Sequence, residues 1–176
     1  KKGVRANGGT PREFCTITVT DGIAMGHEGM KASLISREVI ADSAELTVRG
    51  HCYDALVGIA GCDKSLPALM MSMVRLNVPS VFIYGGSILP GRYKGKDVTV
   101  VDVFEAVGKH SSGQMSAAEL RKLELVACPS AGACGGQFTA NTMACVSEAI
   151  GLALPYSAGT PAPYEERDKY AKESGK

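Results

Sequence analysis

The alternation of strand-like and helix-like segments in the first half of the chain is the feature that most constrains its fold. Residues 55–60 and 78–84 are short apolar runs of the kind that form buried strands. Residues 32–49 and 65–76 carry apolar side chains at helical spacing. Residues 14–20 (FCTITVT) are rich in β-branched side chains and predict an earlier strand. The resulting β-α-β-α-β order favours a parallel sheet with right-handed crossovers.

The second half of the chain predicts mainly helices. They are expected over residues 100–110, 116–126 and 139–154. The last is strongly apolar, so we expect it to be buried, with Cys145 in the core and Pro155 at its end. The predicted fold is therefore α/β, with a parallel sheet flanked by helices in three layers.

Chemically distinctive residues follow each predicted strand. Asp21 follows the first strand, Cys62, Asp63 and Lys64 follow the second, and a Gly-Gly pair at 85–86 follows the third. Because parallel strands end at the same edge of a sheet, we expect these residues to gather there. A thiolate suits iron or zinc, whereas a carboxylate suits Mg²⁺. The alternative is a buried thiol beside a surface Asp-Lys pair, with Asp21 only capping a turn.

Two other loops are candidates for binding. Cys134, within residues 128–143, is flanked by glycines. These glycines would leave its sulfur and the nearby amides free to face an inorganic cluster. The alternative is a Gly-rich turn that contains an incidental thiol. The charged loop 85–95 is suited equally to an anionic substrate or to a solvated turn. Its charged and aromatic side chains are Arg92, Tyr93 and Lys94.

Composition excludes several classes of protein. A net charge of +1 and 6% aromatic residues without Trp argue against nucleic-acid binding, and no apolar run is long enough to span a membrane. The six cysteines lack CxxC pairs and several lie in apolar runs, so we expect a reducing, cytoplasmic location. The chain begins without Met, so we expect it to be a portion of a longer protein.

Four motifs carry a family resemblance. They are TDGIAMGHEGM (20–30), GCDKSLP (61–67), YGGSILPG (84–91) and CPSAGACGGQFTANTM (128–143). Together they resemble the dihydroxy-acid/6-phosphogluconate dehydratase family, and the first and third favour its dihydroxy-acid branch. The resemblance covers nearly the whole chain and implies that residues 1–176 are part of the N-terminal domain of a larger two-domain enzyme.

The resemblance also implies a ligand set. Cys62 and Cys134 become ligands of an iron–sulfur cluster, with the two-iron form favoured and a four-iron form compatible. Asp21 and Asp63 become Mg²⁺ ligands. Lys64, converted to a carbamate by CO₂, becomes a further Mg²⁺ ligand and a catalytic residue. The carbamate is an anionic oxygen donor, whereas an ammonium group would be repelled by Mg²⁺.

The implied reaction is the dehydration of 2,3-dihydroxy acids to 2-keto acids in valine and isoleucine biosynthesis, catalysed by a homodimer. The expected substrates are 2,3-dihydroxy-isovalerate and 2,3-dihydroxy-3-methylvalerate. The family's first cluster cysteine, a further carboxylate ligand and a serine base are not among these residues, so we expect the chain alone to be inactive. The alternatives are a sugar-acid dehydratase, acting on an aldonate or 6-phosphogluconate, and a non-catalytic α/β binding domain.

Overall fold

The computed structural model describes residues 1–176 and contains eight helices and four short strands. They are α1 Lys2–Ala6, α2 Asp21–Ala24, α3 Met30–Gly50, β1 Leu56–Ala60, α4 Ser65–Leu76, β2 Ser80–Tyr84, β3 Gly91–Tyr93, β4 Lys96–Val98, α5 Val100–Ser111, α6 Ala117–Ala127, α7 Thr139–Ala149 and α8 Glu166–Ser174. No helix is both long and apolar enough to cross a membrane.

The central unit is a parallel pair of strands joined by a helix. Strands β1 and β2 pair in parallel, with Leu56 opposite Ser80 and Ala60 opposite Tyr84. Helix α4 connects them, and an isolated parallel bridge from Phe82 to Ala153 continues the pairing beyond β2. The predicted α/β class, with parallel strands and helices around them, is therefore confirmed.

The main core lies between this sheet and helices α3 and α4. Helix α3 turns a face of small and medium side chains inward, including Ala41 and Ala44, which are fully buried. Small residues allow close approach of the helices, and Ser72 of α4 donates a hydrogen bond to the carbonyl oxygen of Ala41 at 3.0 Å. A Cβ atom on Gly58 of β1 would lie 2.6 Å from the Cε of Met73, so glycine lets α4 pack directly on the strand.

The predicted strand at residues 14–20 is wrong. These residues form no strand, and Ile17 is 54% exposed. Thr16 instead bonds through its hydroxyl to Ser43 of α3 at 2.5 Å. A β-branched segment becomes a strand only when a neighbouring strand accepts its backbone hydrogen bonds, and this segment lies beside a helix.

Helix α7 is shorter and less buried than predicted. It ends at Ala149 because Gly151 adopts a left-handed φ of +80°, so Pro155 is not its terminator. The residues after the turn lead to the bridge with Phe82. Cys145 is exposed and not in the core, because the buried face of α7 is formed by Ala140, Ala144 and Ser147.

The hairpin β3–β4 and helices α5 and α6 form a second, smaller unit. Its core has four buried residues: Val98, Ala106, Leu123 and Ala127. Both helices begin with a side-chain cap. Thr99 and Asp102 form a reciprocal capping box at the start of α5, and the Ser116 hydroxyl caps α6. The predicted start of α6 at Ser116 is therefore confirmed.

Candidate metal and cluster site

The loops that follow β1 and β2 meet at one edge of the sheet. The Gly85 amide donates to the Ala60 carbonyl at 2.8 Å, which extends the parallel pairing one step beyond the strands. A Cβ on Gly85 would lie 3.4 Å from the Cα of Gly61. Residues without side chains thus let the loop of Cys62 pass close to the loop that follows β2.

Main-chain hydrogen bonds bring the Cys134 segment to the same edge. The Ala133 amide donates to the Gly86 carbonyl at 2.8 Å, and the Ile88 amide donates to the Cys134 carbonyl at 2.9 Å. Gly132 has a φ of +153°, and a Cβ there would lie 2.6 Å from the backbone of residues 87 and 88. Only glycine fits this conformation and this approach. The Cys134 segment therefore lies beside the Gly85-Gly86 turn, a convergence that the order of the strands did not predict.

Asp21, Asp63 and Lys64 form one ion-paired cluster. The Lys64 ammonium donates to the Asp21 carboxylate at 3.1 Å and also to the Asp63 carboxylate. Their side chains are only 16–20% exposed. Ser33 of α3 donates to the second Asp21 oxygen at 2.5 Å. Asp21 therefore reaches the site as the first residue of α2, held by α3 and Lys64, and not as the end of a strand.

The surroundings of Asp63 and Lys64 favour the charged form of both side chains. Burial alone raises the pKa of Asp63, but hydrogen bonding with Asp21, Lys64 and Thr139 outweighs it, so the pKa is lowered. Burial alone lowers the pKa of Lys64, but Asp63 and Asp21 outweigh it and the pKa is raised. The Lys64 ammonium and the Asp63 carboxylate therefore stabilise each other's charged form.

One carboxylate oxygen in this cluster has no partner. Asp63 Oδ1 is buried and makes no hydrogen bond. Buried polar atoms are normally satisfied, and an unpaired carboxylate oxygen beside a second carboxylate suits a hard divalent cation. The arrangement at Asp63 and Asp21 therefore fits part of a Mg²⁺ site.

The two candidate cluster cysteines differ from the other four. Cys62 and Cys134 are half-buried, whereas the remaining cysteines are exposed. Burial raises the pKa of the Cys134 thiol, hydrogen bonding from the backbone of Gly136 and Gly135 opposes this, and the charges of Cys62 and Asp63 raise it further. A half-buried thiol whose thiolate is stabilised by nearby backbone amides suits an iron–sulfur group.

The chain does not contain a complete ligand set. It holds no group of three or more His, Cys, Asp or Glu side chains arranged to bind a metal. The two thiols and the two carboxylates fit two partial sites, of soft and hard character respectively.

Three residues at or near this edge of the sheet are not evident from the sequence. Ser33 orients Asp21, Thr139 at the start of α7 helps to lower the pKa of Asp63, and Tyr84 ends β2 with its hydroxyl buried. Ser65, the first residue of α4, bonds both the amide and the carbonyl of Cys62. Only the position of Tyr84 at a strand end could have indicated such a role.

Comparison with known proteins places this site in a family. The family model described as Dihydroxy-acid/6-phosphogluconate dehydratase N-terminal matches residues 1–176. Dihydroxy-acid dehydratases of Pelagibacter ubique and Parvibaculum lavamentivorans are 94% and 82% identical over the whole chain, and that of Metallosphaera sedula is 57% identical.

The chain spans about a third of the length of these relatives, 31% of the first two and 32% of the third. The resemblance based on the four motifs is thus confirmed over every residue. The chain belongs to the dihydroxy-acid/6-phosphogluconate dehydratase family and matches its N-terminal region.

Proposed function

We propose that this chain is part of the N-terminal cluster- and Mg²⁺-binding domain of a dihydroxy-acid dehydratase. The full-length protein would act as a hydro-lyase on 2,3-dihydroxy acids in valine and isoleucine biosynthesis. The observation that carries the proposal is the meeting of Asp21, Asp63 and Lys64 at the sheet edge that also receives the loops of Cys62 and Cys134. The relatives' names support the choice of substrate class.

The side chains divide by chemical character. Cys62 and Cys134 would hold an iron–sulfur cluster, with the two-iron form favoured, and Asp21 and Asp63 would hold Mg²⁺. When bound, Mg²⁺ would supply a Lewis acid for the substrate carboxylate and 2-hydroxyl, and the cluster one for the departing 3-hydroxyl. Ser33 keeps Asp21 oriented, and Ser65 fixes the backbone of Cys62.

Lys64 has two alternative states in this proposal. As an ammonium it neutralises Asp21 and Asp63. As a neutral amine it can attack CO₂, forming an N–C bond and losing a proton to give a carbamate. Three anions side by side would repel one another strongly at this degree of burial, so the carbamate requires a divalent cation between them. Carbamylation of Lys64 and Mg²⁺ binding should therefore depend on each other.

The remaining parts of the proposal concern the full-length protein. A third cluster cysteine, a further carboxylate and a serine base would come from outside residues 1–176, so this chain alone should show no dehydratase activity. We also propose a cytoplasmic homodimer that binds neither nucleic acid nor membranes. The net charge of +1 supports this last point.

The test uses the natural full-length protein purified anaerobically. Iron, sulfide and magnesium are measured with the visible spectrum, and keto-acid formation is assayed with 2,3-dihydroxy-isovalerate and, separately, with 6-phosphogluconate. Cys134→Ser should lose the cluster and the activity. Cys128→Ser is the matched control, because Cys128 is exposed six residues earlier in the chain and should keep both.

The outcomes separate the alternatives. Faster turnover of 6-phosphogluconate would move the protein to the sugar-acid branch. A protein without iron or magnesium would support the non-catalytic binding domain. Turnover by residues 1–176 alone would contradict the expected dependence on outside ligands.

A further inference from the structure

The Tyr84 side chain is buried with its hydroxyl unused. Tyr84 is 1% exposed, and its hydroxyl makes no hydrogen bond with any part of the chain. A phenol contains one O–H donor, and a buried donor without a partner is rare in a folded protein. An orphaned hydroxyl at this position therefore calls for an acceptor that residues 1–176 do not supply.

The position of Tyr84 narrows the search for that acceptor. It is the last residue of β2, opposite Ala60 in the parallel register, and so immediately precedes the turn that meets the loops of Cys62 and Cys134. Cys134 packs against the same core cluster that contains Tyr84. Tyr84 is thus paired with the residue two positions before Cys62 and belongs to the core against which Cys134 packs.

The other polar group near the ring does not serve as the partner. The Arg167 guanidinium lies 5.9 Å from the centre of the Tyr84 ring. Its Nη1 donates to the carbonyls of Ser157 at 2.7 Å and Thr160 at 3.3 Å. Arginine has no acceptor, so it cannot take the phenol proton.

The charges that act on the phenol are those of the cysteines and of Arg167. Burial, together with the charges of Cys134, Cys62 and Cys145, raises the pKa of Tyr84 to about 12 against the opposing charge of Arg167. The hydroxyl therefore stays protonated at neutral pH and is available as a donor. Neither thiol accepts it within residues 1–176, so the hydroxyl is free to donate to a sulfur of a group bound by these cysteines.

We propose that Tyr84 donates a hydrogen bond to a sulfur of the iron–sulfur group held by Cys62 and Cys134, and so raises the reduction potential of that group. This inference rests on the proposed function. Donors to sulfur stabilise the more negative, reduced state and raise the reduction potential. Tyr84 is in these terms a tuning residue that acts through the cluster and does not touch the substrate.

The first test is a reduction titration of the full-length holoprotein, followed by its visible spectrum. Tyr84→Phe removes only the hydroxyl and should retain iron and sulfide. Its cluster should be harder to reduce by roughly tenfold in equilibrium constant, about 59 mV more negative for a one-electron couple. Tyr164→Phe is the matched control, since Tyr164 is 49% exposed, and should leave the potential unchanged.

A second measurement keeps the proposal testable if Tyr84→Phe loses the cluster. A fluorinated tyrosine at position 84 has a more acidic hydroxyl and is a stronger donor, so the potential should move in the positive direction. A role confined to packing predicts no such opposite shift. Unchanged potentials in both variants overturn the proposal, whereas a wild-type protein without iron overturns the proposed function first and this inference with it.

Discussion

Lys64 and Lys94 lie in loops of similar composition but very different structure. Lys64 is 20% exposed and contacts two carboxylates that come from different parts of the chain. Lys94 is 67% exposed and pairs with the single carboxylate of Glu119. Nearby Arg92 is likewise exposed and paired with Asp97. The structure thus favours the solvated turn for the charged loop 85–95.

The helix caps also differ between the small unit and the candidate site. Helices α5 and α6 of the small unit begin with side-chain caps at Thr99 and Ser116, whereas α4 and α7 beside the site begin with none. The small unit satisfies its polar groups locally, which stabilises it without any ligand. The site instead leaves donors and a carboxylate oxygen unused, as expected where a ligand completes the bonding.

The largest expected difference between the two regions comes from their lysines. In the full-length protein, Lys64→Ala should lower kcat/KM by about 10²–10³-fold or more, because it removes a group that we propose acts at the reacting centre. Exposure to ¹³C-labelled CO₂ should give a carbamate signal by NMR in the wild type, and this signal should vanish in Lys64→Ala and after magnesium removal.

Lys94→Ala is the control for that experiment. It removes an exposed ion pair and should keep both kcat/KM and the carbamate signal. Equal decreases of kcat/KM in the two variants would mean that the burial of Lys64 and its two ion pairs are not important for activity.

Glycine substitutions should separate the regions by stability. Gly132→Ala combines a φ of +153° with backbone atoms 2.6 Å from the new Cβ, so we expect a cost of about 3 kcal/mol or more and reduced iron content. Gly95→Ala in the hairpin has a φ of +79° but open space, so about 1 kcal/mol is expected. Denaturant unfolding and iron analysis measure both effects, and a Gly95 variant as damaging as the Gly132 variant would contradict the tight-contact argument.

The smallest effect should come from a helix cap in the small unit. Thr99→Ala removes the hydroxyl that accepts from the Val101 amide at 3.3 Å, with an expected loss of about 1 kcal/mol. Because Thr99 lies outside the site, kcat/KM should not change. Thermal unfolding gives the first quantity and steady-state kinetics the second; a large kinetic effect would show that the two units are coupled.

The spacing of apolar residues predicted much of this fold because the same residues form the buried faces of the helices and strands. The apolar spacing in α3 and α4 and the runs in β1 and β2 gave elements close to those observed. The position of Cys62, Asp63 and Lys64 followed from β1 alone, since a parallel strand delivers its carboxyl end to the binding edge.

The remaining features depend on partners distant in sequence. Residues 14–20 have strand composition, but α3 lies beside them through the contact of Thr16 with Ser43, and no strand does. Asp21 joins the site through Ser33 and Lys64, which no spacing rule reveals. Cys145 is exposed because small residues on the opposite side of α7 face the core.

The main-chain hydrogen bonds that tie residues 86–88 to residues 133–134 have an evolutionary consequence. Amide and carbonyl groups are the same for almost every amino acid, so these bonds survive most substitutions in the loops. Side chains around the sheet edge can therefore diverge while the sulfur-bearing segment keeps its place. Such a scaffold allows a lineage to change the side chains at this edge without moving the segment that carries Cys134.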